Sequence, residues 1–245
     1  MNIAYLHRTK GRGVEGVHIN EIIRQFKYMG HCVDVISPVN ESQSINAQNP
    51  AMGVGKGKSI VDYFPEFLFE CLELSYNFAG LRNIARLFKN KKINLIYERY
   101  AIFNIFGVFF AKNKSINLVL EVNYTSLMPL VRKRNYFLKP FARLFDAYIF
   151  RNSTRLIAVS SYLKEHLISE FKIPAHKITV LPNAADPDKF KYIEYDLSSS
   201  DRVIGFVGGF YPWHGVDMLV DSFRNTVMEF PQARLVLVGD GPERN

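Results

Sequence analysis

Polar side chains able to hold a charged or hydroxyl-rich ligand stand directly behind short apolar runs in this sequence. His7 and Arg8 follow the run 3–6, Glu98, Arg99 and Tyr100 follow 93–97, and Glu121 and Asn123 follow 116–120. Ser160 and Ser161 follow 155–159, and Pro182 and Asn183 follow 177–181. An open parallel sheet binds ligands outside the carboxyl ends of its strands, so the set predicts a polar crevice. Taken singly, Ser160 suits a helix N-cap and Asn183 a turn. A second chemistry is that of glycine turns, which let the backbone approach a phosphate at a helix N-terminus. Gly208 and Gly209 break the apolar run 203–207 in this way, and Gly11, Gly13 and Gly16 lie between the first run and the first helical pattern.

Other chemistries find no anchor. Gly11 to Gly16 fits the G-x-G-x-x-G string, but Ser37 and Pro38 stand where a dinucleotide site needs a carboxylate for the ribose. The six histidines are scattered, and no H-E-x-x-H, C-x-x-C or G-x-S-x-G occurs, so no metal or hydrolase site is expected.

The elements that must position these residues read as α/β. The runs 3–6, 32–36, 93–97, 116–120, 155–159 and 177–181 are nearly continuous in Val, Ile and Leu, which marks parallel strands covered on both faces. Ile19, Ile22, Ile23 and Phe26 give the first helix one apolar face, and Gly30 closes it. Residues 38–59, rich in Asn, Ser and Gly, are expected to form a long loop. A long helical pattern over 65–88 is expected to break at Gly80. The polar stretch 192–202 is expected to link two domains: an N-terminal Rossmann-like domain over 1–192, a linker at 193–202, and from 203 to 245 strand, glycine turn, helix and strand, the βαβ opening of a second domain.

Composition limits the partners. The chain carries a formal charge of +8, with 48% hydrophobic and 22% charged residues, as in a soluble globular protein that meets an anionic partner. Cys32 and Cys71 sit in apolar periodic segments and are expected to be buried and reduced, as in a cytosol. No signal peptide or membrane-spanning run is seen. Arg132, Lys133 and Arg134 precede Phe141, Leu144, Phe145, Tyr148 and Ile149 at helical spacing. That stripe is expected to face the core, with contact to an anionic membrane as the other reading. Nucleic acid is not an expected partner, because the aromatics fit burial better than base stacking.

Several segments together resemble the family 4 glycosyltransferases of the GT-B fold, which move a sugar from a nucleotide donor with retention. Gly16-Val17-His18-Ile19 with Gly30-His31-Cys32-Val33 resembles the family's first helix and its entry into the second strand. Leu156 to Ser160, then Lys177 to Asn183 with Asp186 and Phe190, resembles its most recognisable stretch. Gly205 to Gly208, Pro212-Trp213-His214-Gly215 and Leu235 to Pro242 resemble the opening of its donor-binding domain.

The resemblance implies an acceptor-side first domain and a donor-side second one. Gly16, Gly208, Gly209 and His214 would then meet the nucleotide sugar. His18, Arg99, Tyr100, Glu121, Asn123, Ser160 and Asn183 would line the acceptor cleft. No metal or other cofactor is expected, because positive side chains and helix N-termini would offset the leaving diphosphate. Two departures stand out: His214 and Tyr211 occupy the positions of a common lysine and arginine, and no two glutamates stand eight positions apart as the family's donor-site pair does.

The expected function is therefore transfer to a glycan or lipid-linked acceptor, in the cytoplasm or peripherally on the inner face of the membrane. This stretch of chain by itself is expected to be incomplete and poorly active. A non-catalytic glycan-binding module and a GT-B-fold nucleotide-sugar epimerase are the alternatives.

Overall fold

The computed structural model describes residues 1–9, 13–37, 65–128, 138–192, 194 and 202–244. The expected loop at 38–59, nearly all of the expected linker, Gly11 and the basic run 132–134 lie outside the described residues. Two compact units are present, Met1–Asn183 and Ala184–Asn245.

The first unit runs β1 (Asn2–Leu6), α1 (Gly13–Tyr28), β2 (Cys32–Ile36), α2 (Glu66–Asn90), β3 (Leu95–Arg99), α3 (Phe106–Lys114), β4 (Asn117–Val122), α4 (Lys139–Asn152), β5 (Arg155–Ala158), α5 (Ser161–Phe171) and β6 (Ile178–Val180). All six strands are parallel, in the order β2-β1-β3-β4-β5-β6. Side chains alternate across a strand, so the sheet has two apolar faces. Ala4, Leu6, Ile96, Leu118 and Leu120 join residues of α2, α3, α4 and α5 in one core, while Ile3, Tyr5 and Tyr97 join Ile19 and Ile23 of α1 in the other. Helices thus cover both faces, as the uninterrupted apolar runs require.

Four expectations are corrected. First, β3 and β4 run about two residues past their apolar stretches, so Glu98, Arg99 and Glu121 are the closing residues of strands rather than the start of loops. Burial of Glu98 beneath α3 and pairing of Arg99 with Glu121 let the ladder continue through them. Second, α2 does not break at Gly80. A Cβ there would lie 2.6 Å from the Phe106 ring, so the glycine serves the close approach of α2 and α3. Third, Cys32 and Cys71 are exposed, the former at the start of edge strand β2 and the latter on the outer side of α2. Fourth, the stripe on α4 is divided: Ile149 is buried and Phe145 half-buried, whereas Phe141, Leu144 and Tyr148 are exposed.

The second unit holds β7 (Arg202–Val207), α6 (Val216–Glu229) and β8 (Ala233–Val238), with the strands parallel and paired from Arg202↔Ala233 to Val207↔Val238. The loops behind the two strands lie against each other. Phe210 N–H donates to the Asp240 carbonyl at 3.0 Å, and Glu243 N–H to that of Phe210 at 3.0 Å. Glycine is required for that approach, because a Cβ at Gly239 would fall 1.8 Å from the Gly208 carbonyl oxygen.

Candidate functional site

The strand order reverses direction between β1 and β3, with β2 placed outside β1 and β4 outside β3. Such a switch point opens a crevice at the carboxyl ends of the two strands. A cleft of about 410 Å³ lies there, lined by Arg8 and Thr9 behind β1, Arg99, Tyr100 and Ala101 at β3, Tyr124 behind β4, and Glu15 in the first turn of α1.

Glu121 organises the cleft wall. It is buried, and its carboxylate accepts from the Arg99 guanidinium at 2.6 Å, His18 Nε2 at 2.9 Å, Asn123 Nδ2 at 2.9 Å and the Tyr97 hydroxyl at 3.0 Å. A buried carboxylate with four donors is compensated, and it fixes the direction of each donor. Because the carboxylate accepts, the proton of His18 stands on Nε2. Tyr97 stacks on Tyr5 at 5.3 Å between ring centroids. Burial, then the neighbouring Glu121 charge, pushes both phenols well above their ordinary range, so they remain neutral donors.

Arg8 is held by Glu73 of α2 at 3.0 Å, while its Nη1 is buried with no hydrogen-bond partner among the described residues. His7, the residue before it, is buried. Burial, assisted by the Arg99 charge, lowers its pKa to about 4, so the ring is neutral and accepts from Thr9 N–H. Tyr100 meets Tyr124 edge-on at 5.2 Å and donates a hydrogen bond to the buried Asp146, whose other oxygen accepts from Ser126 N–H at 2.8 Å. Each guanidinium of the cleft is thus matched by a carboxylate. The walls offer fixed planar donors and aromatic faces with little net charge, a surface suited to hydroxyl groups.

The expected residues fall into three groups. His18, Arg99, Tyr100, Glu121 and Asn123 come together in or beside this cleft, and Gly16 is buried in the first turn of α1 next to Glu15. Ser160 caps α5, its hydroxyl accepting from Leu163 N–H at 3.2 Å, and Asn183 is exposed at the end of the first unit; neither lines the cleft. In the second unit Gly208 and Gly209 follow β7, and His214 sits in the single turn Pro212–His214 just before α6. Its Nδ1–H donates to the Gly209 carbonyl.

Sequence reasoning missed Glu73, Tyr97 and Tyr124. Tyr97 and Glu73 are spaced as ordinary core and surface residues. Tyr124 was within reach, one residue beyond Asn123 behind the same run.

Comparisons with known proteins agree with this architecture. The family model described as Glycosyltransferase Family 4 matches residues 13–189. The trehalose synthase of Thermococcus litoralis is 28% identical over 123 residues, which cover 44% of this chain and 27% of that protein. The UDP-Gal:alpha-D-GlcNAc-diphosphoundecaprenol alpha-1,3-galactosyltransferase of Escherichia coli is 20% identical over 198 residues, covering 76% of this chain and 51% of that one. The chain therefore spans about a quarter to a half of the length of these curated relatives. Among solved structures, the catalytic domain of starch synthase IV from Arabidopsis thaliana, bound to ADP and acarbose, matches with a TM-score of 0.63 at 12% identity, covering 98% of this chain and 68% of that one.

Proposed function

Because the chain belongs to glycosyltransferase family 4, we propose that the protein transfers a sugar from a nucleotide-diphosphate donor to a glycan or lipid-linked acceptor, with retention of configuration. The observation that carries the acceptor side is the switch-point cleft with its paired guanidinium and carboxylate groups and its Tyr100 and Tyr124 rings. Hydroxyl-rich ligands match such walls, since each hydroxyl both donates and accepts and needs no compensating charge. His18, Arg99 and Asn123, all aimed by Glu121, are the groups assigned to orient the acceptor.

The donor side rests on the βαβ geometry of the second unit, where the half-buried Gly208 and Gly209 form the turn behind β7 and His214 stands before the α6 N-terminus. Gly16 is assigned to the donor by the resemblance alone. The starch synthase structure holds ADP and the galactosyltransferase is named for UDP-galactose, which supports a nucleoside diphosphate as the carrier. Metal-free transfer belongs to the same proposal, and undiminished turnover in excess EDTA is its test. For the reaction itself, the protein is supplied with UDP- and ADP-sugars and an oligosaccharide or lipid acceptor. An α-linked product from an α-linked donor, read by the anomeric proton signal, supports the proposal; a β-linked product overturns retention.

Peripheral contact with an anionic membrane is the second part of the proposal. Phe141, Leu144 and Tyr148 form an exposed stripe on α4, Arg143 and Arg151 are exposed on the same helix, and Lys112 stands 6.0 Å from the Tyr148 ring. Apolar side chains bordered by cations suit a headgroup layer. Among the described residues no helix is long and apolar enough to cross a membrane. Sedimentation with anionic but not neutral vesicles at low salt is expected, and equal retention by both would remove the membrane from the proposal.

A further inference from the structure

The loop between β7 and α6 contains the sole tryptophan of the chain, and that side chain is held in place without being buried. Trp213 stacks on Tyr211 with ring centroids 4.6 Å apart and planes 2° from parallel. The His214 ring stands edge-on to both, at 5.9 Å from Trp213 and 6.0 Å from Tyr211. His214 is itself anchored through Nδ1 to the Gly209 carbonyl and packs at 6.1 Å against Phe206 of β7. The indole nevertheless keeps 48% of its surface exposed. Beyond these rings it has no hydrogen bond or ring contact among the described residues, so about half of the indole surface is held in place yet reachable from solvent.

An exposed indole contributes little to folding, and an aromatic ring needs no ordered backing merely to stay at a surface. Here two rings fix its plane. The loop is also the place where a parallel strand hands the chain to a helix N-terminus, the end at which such units meet phosphorylated ligands. Residues 208–215 contain no lysine or arginine, so this loop supplies no permanent cation to a diphosphate. Its distinctive recognition surface is a half-exposed indole backed by Tyr211 and His214.

We propose that Trp213 is a stacking platform for the nucleobase of the donor, with Tyr211 and His214 as the residues that hold its plane. This rests on the donor reading given above and adds the group that the loop recognises. Every nucleobase has a π-face, so the platform accepts a pyrimidine or a purine, and base identity is read elsewhere. Loss of one such stack weakens binding by about 5- to 100-fold.

The test uses the 245-residue chain, with UDP, ADP, inorganic pyrophosphate and glucose as separate probes. Tryptophan emission reports Trp213 alone. Saturable quenching by UDP or ADP, with none from pyrophosphate or glucose, is expected. Calorimetry should show Trp213→Phe binding the nucleotide about as well as the parent and Trp213→Leu binding it about 5- to 100-fold more weakly, with pyrophosphate binding the same in all three. Circular dichroism checks that both variants fold.

Nucleotide binding that leaves the emission unchanged, or that Trp213→Leu does not weaken, overturns the platform and leaves the donor reading in place. Quenching by glucose alone makes the platform one for carbohydrate and overturns the assignment to the base. No heat from either nucleotide with the parent chain overturns both readings.

Discussion

Replacing Glu98 by glutamine should make the first unit more stable, and by an amount that grows with pH. Glu98 closes β3 beneath the start of α3 and is 1% exposed. One carboxyl oxygen accepts from Asn104 Nδ2 at 2.7 Å, while Oε2 has no hydrogen-bond partner among the described residues and lies against Gly107, where an added Cβ would be 2.0 Å away. Burial raises its pKa from 4.5 to about 8, only partly offset by the Asn104 hydrogen bond. The sign follows from proton binding. Between pH 4.5 and about 8 the folded carboxyl keeps its proton while the unfolded one has lost it, so folding must take up a proton and stability falls as pH rises. The slope is about 1.4 kcal/mol per pH unit, amounting to on the order of 5 kcal/mol across the window. Glutamine keeps the shape and the acceptor but cannot ionise. Urea unfolding followed by far-ultraviolet circular dichroism at several pH values from 5 to 8.5 measures both proteins. The variant's advantage should widen steadily through this range. An advantage that is the same at pH 5 and pH 8 would refute the reasoning, because it would mean that Glu98 is not protonated in the fold.

The acid side belongs to His7. Its folded pKa of about 4 lies below the unfolded 6.5, so stability is complete above pH 6.5 and is lost as pH falls toward 4, by on the order of 3 kcal/mol. His7→Asn should flatten that limb in the same titration, and an unchanged acid limb would count against a buried neutral imidazole. Gly80→Ala should destabilise by about 1–3 kcal/mol despite alanine's better helix propensity, because its Cβ would meet the Phe106 ring at 2.6 Å. Thermal melts decide this, and a stabilised variant would mean that α2 and α3 do not pack closely there. Ser160→Ala should cost about 1 kcal/mol through the lost α5 cap with transfer activity unchanged. A large drop in kcat at full stability would instead move Ser160 into the site.

The α/β class was legible because burial on both faces leaves an unmistakable mark: strands β1 and β2 and helix α1, with Gly30 at its end in a positive-φ conformation, stand where their apolar residues put them. Strand ends were less so. A sequence reading stops a strand at its first charge, whereas Glu98 sheds its charge on burial and Arg99 is matched by Glu121 across the β3–β4 ladder. Gly80 was read as a breaker because one sequence carries no sign of the neighbour that needs the space. The cleft itself was half visible. Residues behind β1, β3 and β4 pointed to it through the strand-end rule, but Glu73 arrives from α2, far away in sequence, and only the fold brings it to Arg8. Trp213 drew notice only as part of a motif, since stacking on Tyr211 depends on the turn Pro212–His214 and not on spacing.

The central claim is sugar transfer through the switch-point cleft, and steady-state kinetics on Arg99→Ala test it most directly. Arg99 lines the cleft, and its removal leaves Glu121 three other donors, so the fold should persist. With label supplied on UDP- and ADP-sugars, the parent protein should pass it to a glycan or lipid acceptor at a low but measurable rate. The variant should show kcat/KM for the acceptor reduced by about 10- to 100-fold, the loss of one charged hydrogen bond, with donor KM little changed. Transfer by the parent with unaltered acceptor kinetics in a folded Arg99→Ala protein would contradict the assignment of the cleft. The absence of transfer from every nucleotide sugar would contradict the function.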